Sequence, residues 1–113
     1  MKHESDKFIF SKNLEWEEVA PGMKRKILGF NDQIMMVKVH FDKGGVGVIH
    51  KHPHSQTTYV VSGKFEVTIG QEKKILEGGD AFYIPSHIEH GAVCLEEGIL
   101  IDVFSPVRED FLI

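Results

Sequence analysis

The chain has 113 residues, 42% of them hydrophobic and 27% charged, with a formal net charge of −4 and one cysteine. That length supports one domain spanning 1–113 with one core, and the acidic balance with scattered Lys and Arg excludes a nucleic-acid or anionic-membrane partner. Cys94 has no second cysteine to pair with, the charged stretch Met1 to Lys7 lacks a secretory apolar run, and no segment is long enough for a membrane span, so a cytoplasmic protein is expected.

In chain order, Phe8-Ile9-Phe10 is apolar enough to pair with another chain's sheet edge, and a symmetric homodimer is expected. Met35, Val37, Val39 and Phe41 alternate with Met36, Lys38 and His40, which predicts a half-buried strand. Next comes His50-Lys51-His52-Pro53-His54-Ser55-Gln56. In an extended segment, side chains at i and i+2 share a face, so His50, His52, His54 and Gln56 lie on one side, alternate Cα atoms about 7 Å apart. Imidazole nitrogens bind a divalent ion at about 2.0–2.1 Å, and His90 can close the shell once a sheet folds over.

Ser62-Gly63 reads as a turn before the alternating strand Phe65, Val67, Ile69, and Gly70-Gln71 as a second turn. Gly78-Gly79-Asp80 is a third, with Asp80 as turn chemistry. Ala81 to Ile84 is an apolar run ended by Pro85, Cys94 falls in the core, and Ile99 to Phe104 forms the last strand. On that strand Leu100, Asp102 and Phe104 face one way and Ile99, Ile101 and Val103 the other. There is no helical stripe, repeat or low-complexity segment. Short strands with tight turns at this spacing predict an all-β sandwich or barrel.

Gly44, five residues, His50-x-His52, three residues, Gln56, six residues, Gly63 resembles the first cupin motif. Gly79, five residues, Pro85, then His90 resembles the second. The resemblance implies a small single-domain jelly-roll β-barrel with a metal inside. Three positions depart from the pattern: Gln56 stands where the first motif usually has Glu, His87 where the second usually has Gly, and Cys94 where it closes with Asn. Three neutral imidazoles and a carboxamide leave a dication's charge uncompensated, which strengthens it as a Lewis acid and draws an anionic substrate. They also match poorly the two-histidine, one-carboxylate triad of non-haem iron oxygenases.

Closer matches lie in His50-x-His52-Pro53-His54-x-Gln56-Thr57-Thr58, in Ile84-Pro85 with Glu89-His90-Gly91, and in the ending Asp102-x-Phe104-Ser105-Pro106-x-Arg108-Glu109-Asp110-Phe111-Leu112. Trp16-Glu17, Gly22 and Arg25-Lys26 fit an N-terminal strand of the same kind. Together they resemble the pectin-degradation cupins often called KdgF, over nearly the whole chain. That resemblance implies action on 4,5-unsaturated uronates released by pectin or alginate lyases, giving the isomeric linear 5-keto-4-deoxyuronate. It implies one divalent ion per chain on His50, His52, Gln56 and His90, a catalytic Asp102, and substrate contacts from Phe104 and Arg108. His54 is a further candidate for the substrate or the shell behind the metal, or a rim histidine. His and Gln suit nickel, zinc, iron, cobalt or manganese.

Opening a hemiacetal frees an enol at C5 that must be protonated at C4, which calls for a proton carrier, a carboxylate holder and a cation. Desolvation among apolar neighbours would raise Asp102's pKa and a nearby metal would lower it. Arg108 offers a planar fork matched to a carboxylate. The bland alternatives are an Asp102 paired with Arg25 or Lys26, and an Arg108 paired with Glu109 or Asp110. Beside the isomerase stand an oxygenase or another sugar isomerase on the same barrel, and a non-catalytic sugar-acid sensor.

Overall fold

The computed structural model describes residues 3–113. Eight strands make up the body: β1 (Glu17–Ala20), β2 (Met23–Phe30), β3 (Met35–Phe41), β4 (Val46–His50), β5 (Ser55–Ile69), β6 (Glu72–Glu77), β7 (Ala81–Ile84) and β8 (His90–Ser105). Single 3-10 turns at Ser11–Asn13 and Glu109–Phe111 are the only helical pieces among the described residues. Every pairing is antiparallel. The path runs β1-β2-β3-β8-β5-β6, with β4 on β8 and β7 on β5, so the expected all-β cupin jelly roll is bent over its core without being closed by hydrogen bonds.

Two long strands organise this. The first half of β5 pairs with β7 and its second half with β6. The first half of β8 likewise pairs with β4 and its second half with β3. Each strand therefore crosses from one layer to the other. Ser62-Gly63 is where β5 turns the corner, which corrects the turn expected there: the strand continues, and the β5–β8 register shifts around Ser62 and Lys64. Gly63 has φ +86°, and a Cβ there would lie 2.6 Å from the Glu97 carbonyl oxygen and from Gly98 Cα. A Cβ on Gly98 would strike the Ser62 carbonyl in return. Two backbones pass where only glycine fits, which is how a bulge bends a strand. β8 likewise begins at His90, well before the expected Ile99.

The core follows the alternation. Met35, Val37, Val39 and Phe41 are buried on β3, facing Val60, Phe65, Val67, Cys94, Leu100 and Phe104. Phe41 and Phe65 meet edge to face at 5.2 Å, a geometry worth about 0.5–1.5 kcal/mol beyond burial. Asp80 is turn chemistry as expected, its Oδ2 accepting from the Glu77 amide at 2.9 Å. Phe8-Ile9-Phe10 forms no strand; the segment is irregular, with the Phe8 and Phe10 side chains exposed. No helix among the described residues is long and apolar enough to cross a membrane.

Candidate metal and substrate site

His50, His52 and Gln56 reach one place by a different route from a single extended strand. β4 ends at His50, residues 51–54 loop across at Pro53, and Gln56 is the second residue of β5. His90, the first residue of β8, sits opposite His50 in the ladder. Gly91 allows that closeness, because a Cβ there would lie 2.7 Å from the Gly47 carbonyl oxygen. The His50–His90 ring centroids are 4.4 Å apart and His52–His90 4.8 Å. One ligand atom from each of the three lies within 4.8 Å of the others.

Backbone carbonyls set the orientation of all three rings. His50 Nδ1 donates to Val48 O at 2.8 Å, His52 Nδ1 to His54 O at 3.0 Å, and His90 Nδ1 to Ile88 O at 2.9 Å. With Nδ1 spent on a carbonyl, Nε2 is the nitrogen each ring can offer as a ligand, the arrangement that metal-ligating histidines adopt. Burial keeps His52 below its ordinary pKa and pushes His90 down to about 4, which holds both rings neutral and available as ligands at pH 7.

Gln56 completes the set. Its amide nitrogen donates to Thr58 Oγ1 at 3.0 Å and to Asp102 Oδ1 at 3.3 Å, so its Oε1 faces the histidines, 3.0 Å from His52 Nε2. With Nδ1 carrying the proton, that contact sets two lone pairs against each other. His90 Nε2 is buried with no hydrogen-bond partner. A cation shared by these atoms resolves both anomalies, and the donor set fits a divalent ion.

Asp102 lies opposite Thr58 in the β5–β8 ladder, and Thr58 Oγ1 donates to its Oδ1 at 2.7 Å. Desolvation outweighs these bonds and the pull of Arg108, pushing its pKa up to about 6. Neither Arg25 nor Lys26 pairs with it: Arg25 is bonded to Glu17, and Lys26 to Ser11. Arg108 does take the bland partner, with Nε and Nη2 on the two Asp110 oxygens at 3.1 and 2.9 Å. It is also drawn over Phe104 and Phe111, its own side chain only 12% exposed although that of Asp110 is 61% exposed.

A cavity of about 290 Å³ is lined by His50, Gln56, Asp102, Phe104, Arg108 and Arg25 among others. A smaller void lined by His90 shares Gln56 and Asp102 with it. Phe104 is almost wholly buried, edge-on to His52, and forms floor more than wall. His54 does not line the cavity; its Nε2 donates to Val107 O at 3.1 Å, tying the histidine loop to the segment that carries Arg108. His87 adopts φ +65°, which accounts for the glycine usual at this motif position, and its amide donates to His52 O at 2.8 Å.

Sequence reasoning passed over Thr58, Arg25 and Phe111 as parts of the site. Thr58 shares a strand face with Gln56, so the alternation could have found it. Arg25 and Phe111 depend on how β2 and the C-terminal turn fold together, which no local pattern signals.

The cupin domain family matches residues 37–104. The chain is 50% identical to the pectin degradation protein KdgF of Dickeya dadantii (strain 3937), over 94% of this chain and 98% of that one. A solved RmlC-like cupin from Shewanella frigidimarina superposes with a TM-score of 0.95 at 50% identity, covering 97% of this chain and 99% of the other. KdgF from a Halomonas species superposes with 0.90 at 45% identity, covering 95% and 99%.

Proposed function

The chain belongs to the cupin family and is similar throughout to KdgF proteins, and from that premise we propose that it is a metal-dependent isomerase of 4,5-unsaturated uronates, opening the ring to linear 5-keto-4-deoxyuronate. The observation that carries the reading is the place of Asp102: a carboxyl in the cavity wall, bonded to the Gln56 whose Oε1 meets His52, with burial pushing its pKa up to about 6. A sensor of sugar acids has no use for a proton carrier tuned to that range.

The reaction is an isomerisation, so protons balance within it. The O1 proton leaves, the C1–O5 bond breaks to give an aldehyde at C1 and an enolate at C5, and C4 takes a proton to yield the ketone. Asp102 Oδ1 is occupied by Thr58 and Gln56, which leaves Oδ2 to accept the O1 proton and return one to C4. Arg108 holds the substrate carboxylate, its guanidinium already fixed by Asp110 and the two phenylalanine rings. A divalent ion on His50, His52, Gln56 and His90 would supply Lewis-acid polarisation of the oxygen on which charge develops. A cavity of about 290 Å³ suits one monosaccharide, not an oligomer.

The test is to mix metal-loaded protein with unsaturated uronate and follow the ultraviolet absorbance of the C4=C5 bond. Loss at an enzyme-dependent rate, without oxygen consumption, is expected. Unchanged absorbance refutes the activity, and oxygen uptake with bound iron points to the oxygenase instead.

A further inference from the structure

The cavity holds a second guanidinium. Arg25 comes from β2, outside every segment that carries a metal ligand, yet lines the same cavity as His50, Gln56, Asp102 and Arg108. Its Cζ is 3.8 Å from the centroid of the Phe111 ring, and the Cζ of Arg108 is 4.2 Å from the same centroid. One ring thus touches both cations, and both line the one cavity; the two oxygens of a carboxylate can each accept from a different guanidinium.

Their remaining contacts fit this use. Arg25 Nε donates to Glu17 Oε1 at 2.6 Å, with the Arg25 side chain 17% exposed and Glu17 57% exposed. Its two Nη groups have no hydrogen-bond partner among the described residues. A largely buried guanidinium with an unfilled fork is costly alone. Two guanidiniums on one ring repel, and this is offset by Glu17 at Arg25 Nε and by Asp110 at Arg108 Nε and Nη2.

We propose that Arg25 is a second anion-holding residue, making with Arg108 a two-armed clamp on the carboxylate of a sugar acid. Phe111 is the platform, and Glu17 is a competing carboxylate held at the Arg25 Nε. The inference rests on the sugar-acid reading given above, and its test separates the two.

Metal-loaded wild type, Arg25→Met and Arg25→Lys are assayed on unsaturated uronate and titrated calorimetrically with sodium D-galacturonate and with D-galactose. Loss of a charge-assisted pair is worth about ten- to hundredfold, so KM rises by that factor in Arg25→Met while kcat stays within about threefold. Added guanidinium chloride at millimolar concentration recovers part of the loss, which a merely structural arginine would not allow. Arg25→Lys falls between, having charge without the fork. An unchanged KM, or a loss carried by kcat alone, overturns the proposal.

If wild type leaves the unsaturated uronate untouched, the isomerase reading fails and calorimetry decides. A preference for galacturonate over galactose that vanishes in Arg25→Met upholds the clamp, and any other pattern overturns it. Should Arg25→Met not fold, Glu17→Gln decides in its place: it keeps Arg25 and removes the competing carboxylate, so galacturonate binding holds or tightens. Weaker galacturonate binding by Glu17→Gln would overturn the clamp.

Discussion

Replacing Asp102 by Asn separates what the carboxyl does for chemistry from what it costs the fold. The group ionises near 3.8 when unfolded and near about 6 in place, a gap of about two units, and each unit is worth about 1.36 kcal/mol. Because the folded pKa is raised, the unfolded state loses its proton first. Stability is highest below pH 3.8 and falls as pH rises through about 6, by about 3 kcal/mol in all, then levels off. Asn keeps an oxygen to accept from Thr58 and Gln56 and never ionises. Asp102→Asn therefore melts close to wild type at pH 4 and above it at pH 7.5. At about 4 °C per kcal/mol for a chain of this size, the gain is about 12 °C. A bound dication favours the ionised form and shrinks the gain, so melting is followed by circular dichroism on chelated protein. The same variant, metal-loaded at pH 7.5, loses about 10²–10⁴-fold in kcat with KM nearly unchanged. A melting difference independent of pH would refute the buried-carboxyl argument, and parental turnover would refute the proton carrier.

Changing His50 and His52 together to Ala removes the bound ion, measured as metal per chain after dialysis, from about one to near zero, and removes activity with it. Thr58→Val deletes the hydroxyl that helps hold the Asp102 carboxylate, so its pKa rises further and the acidic limb that reports it moves to higher pH in the profile of kcat/KM; a profile that stays put contradicts the role given to Thr58. His87→Gly relieves a left-handed residue and stabilises the fold by up to about 1 kcal/mol in urea titrations, less the entropy glycine adds to the unfolded chain. A loss of stability there would mean that the His87 side chain does more than occupy space.

The β3 alternation was readable because one face of that strand is buried and the other is not, so polarity follows the pleat. Ser62-Gly63 misled because a turn and a bulge both ask for positive φ, and only the partner Gly98, some thirty-five residues on, decides between them. The four metal-ligating candidates come together, although the local geometry assumed for them differs. Pro53 interrupts the strand, and backbone carbonyls at Val48, His54 and Ile88, invisible in residue identities, aim the rings. Asp102 was legible as an inward carboxylate from its place between Leu100 and Phe104. Its neighbours Thr58 and Gln56 required knowing which strand lies beside β8.

That β8 runs unbroken from His90 to Ser105 makes the site sensitive to reading frame in a spatial sense. His90 and Asp102 hang from one rod, with the bulge at Gly98 between them. Deleting a single residue there would leave the histidines in place but flip every later side chain, presenting Ile101 or Val103 to the cavity and turning the carboxyl outward. A residue added at the Gly70-Gln71 hairpin would be absorbed at the surface. Length variation in proteins of this shape should therefore gather at such hairpins and be absent from the stretch that links the metal ligand to the acid.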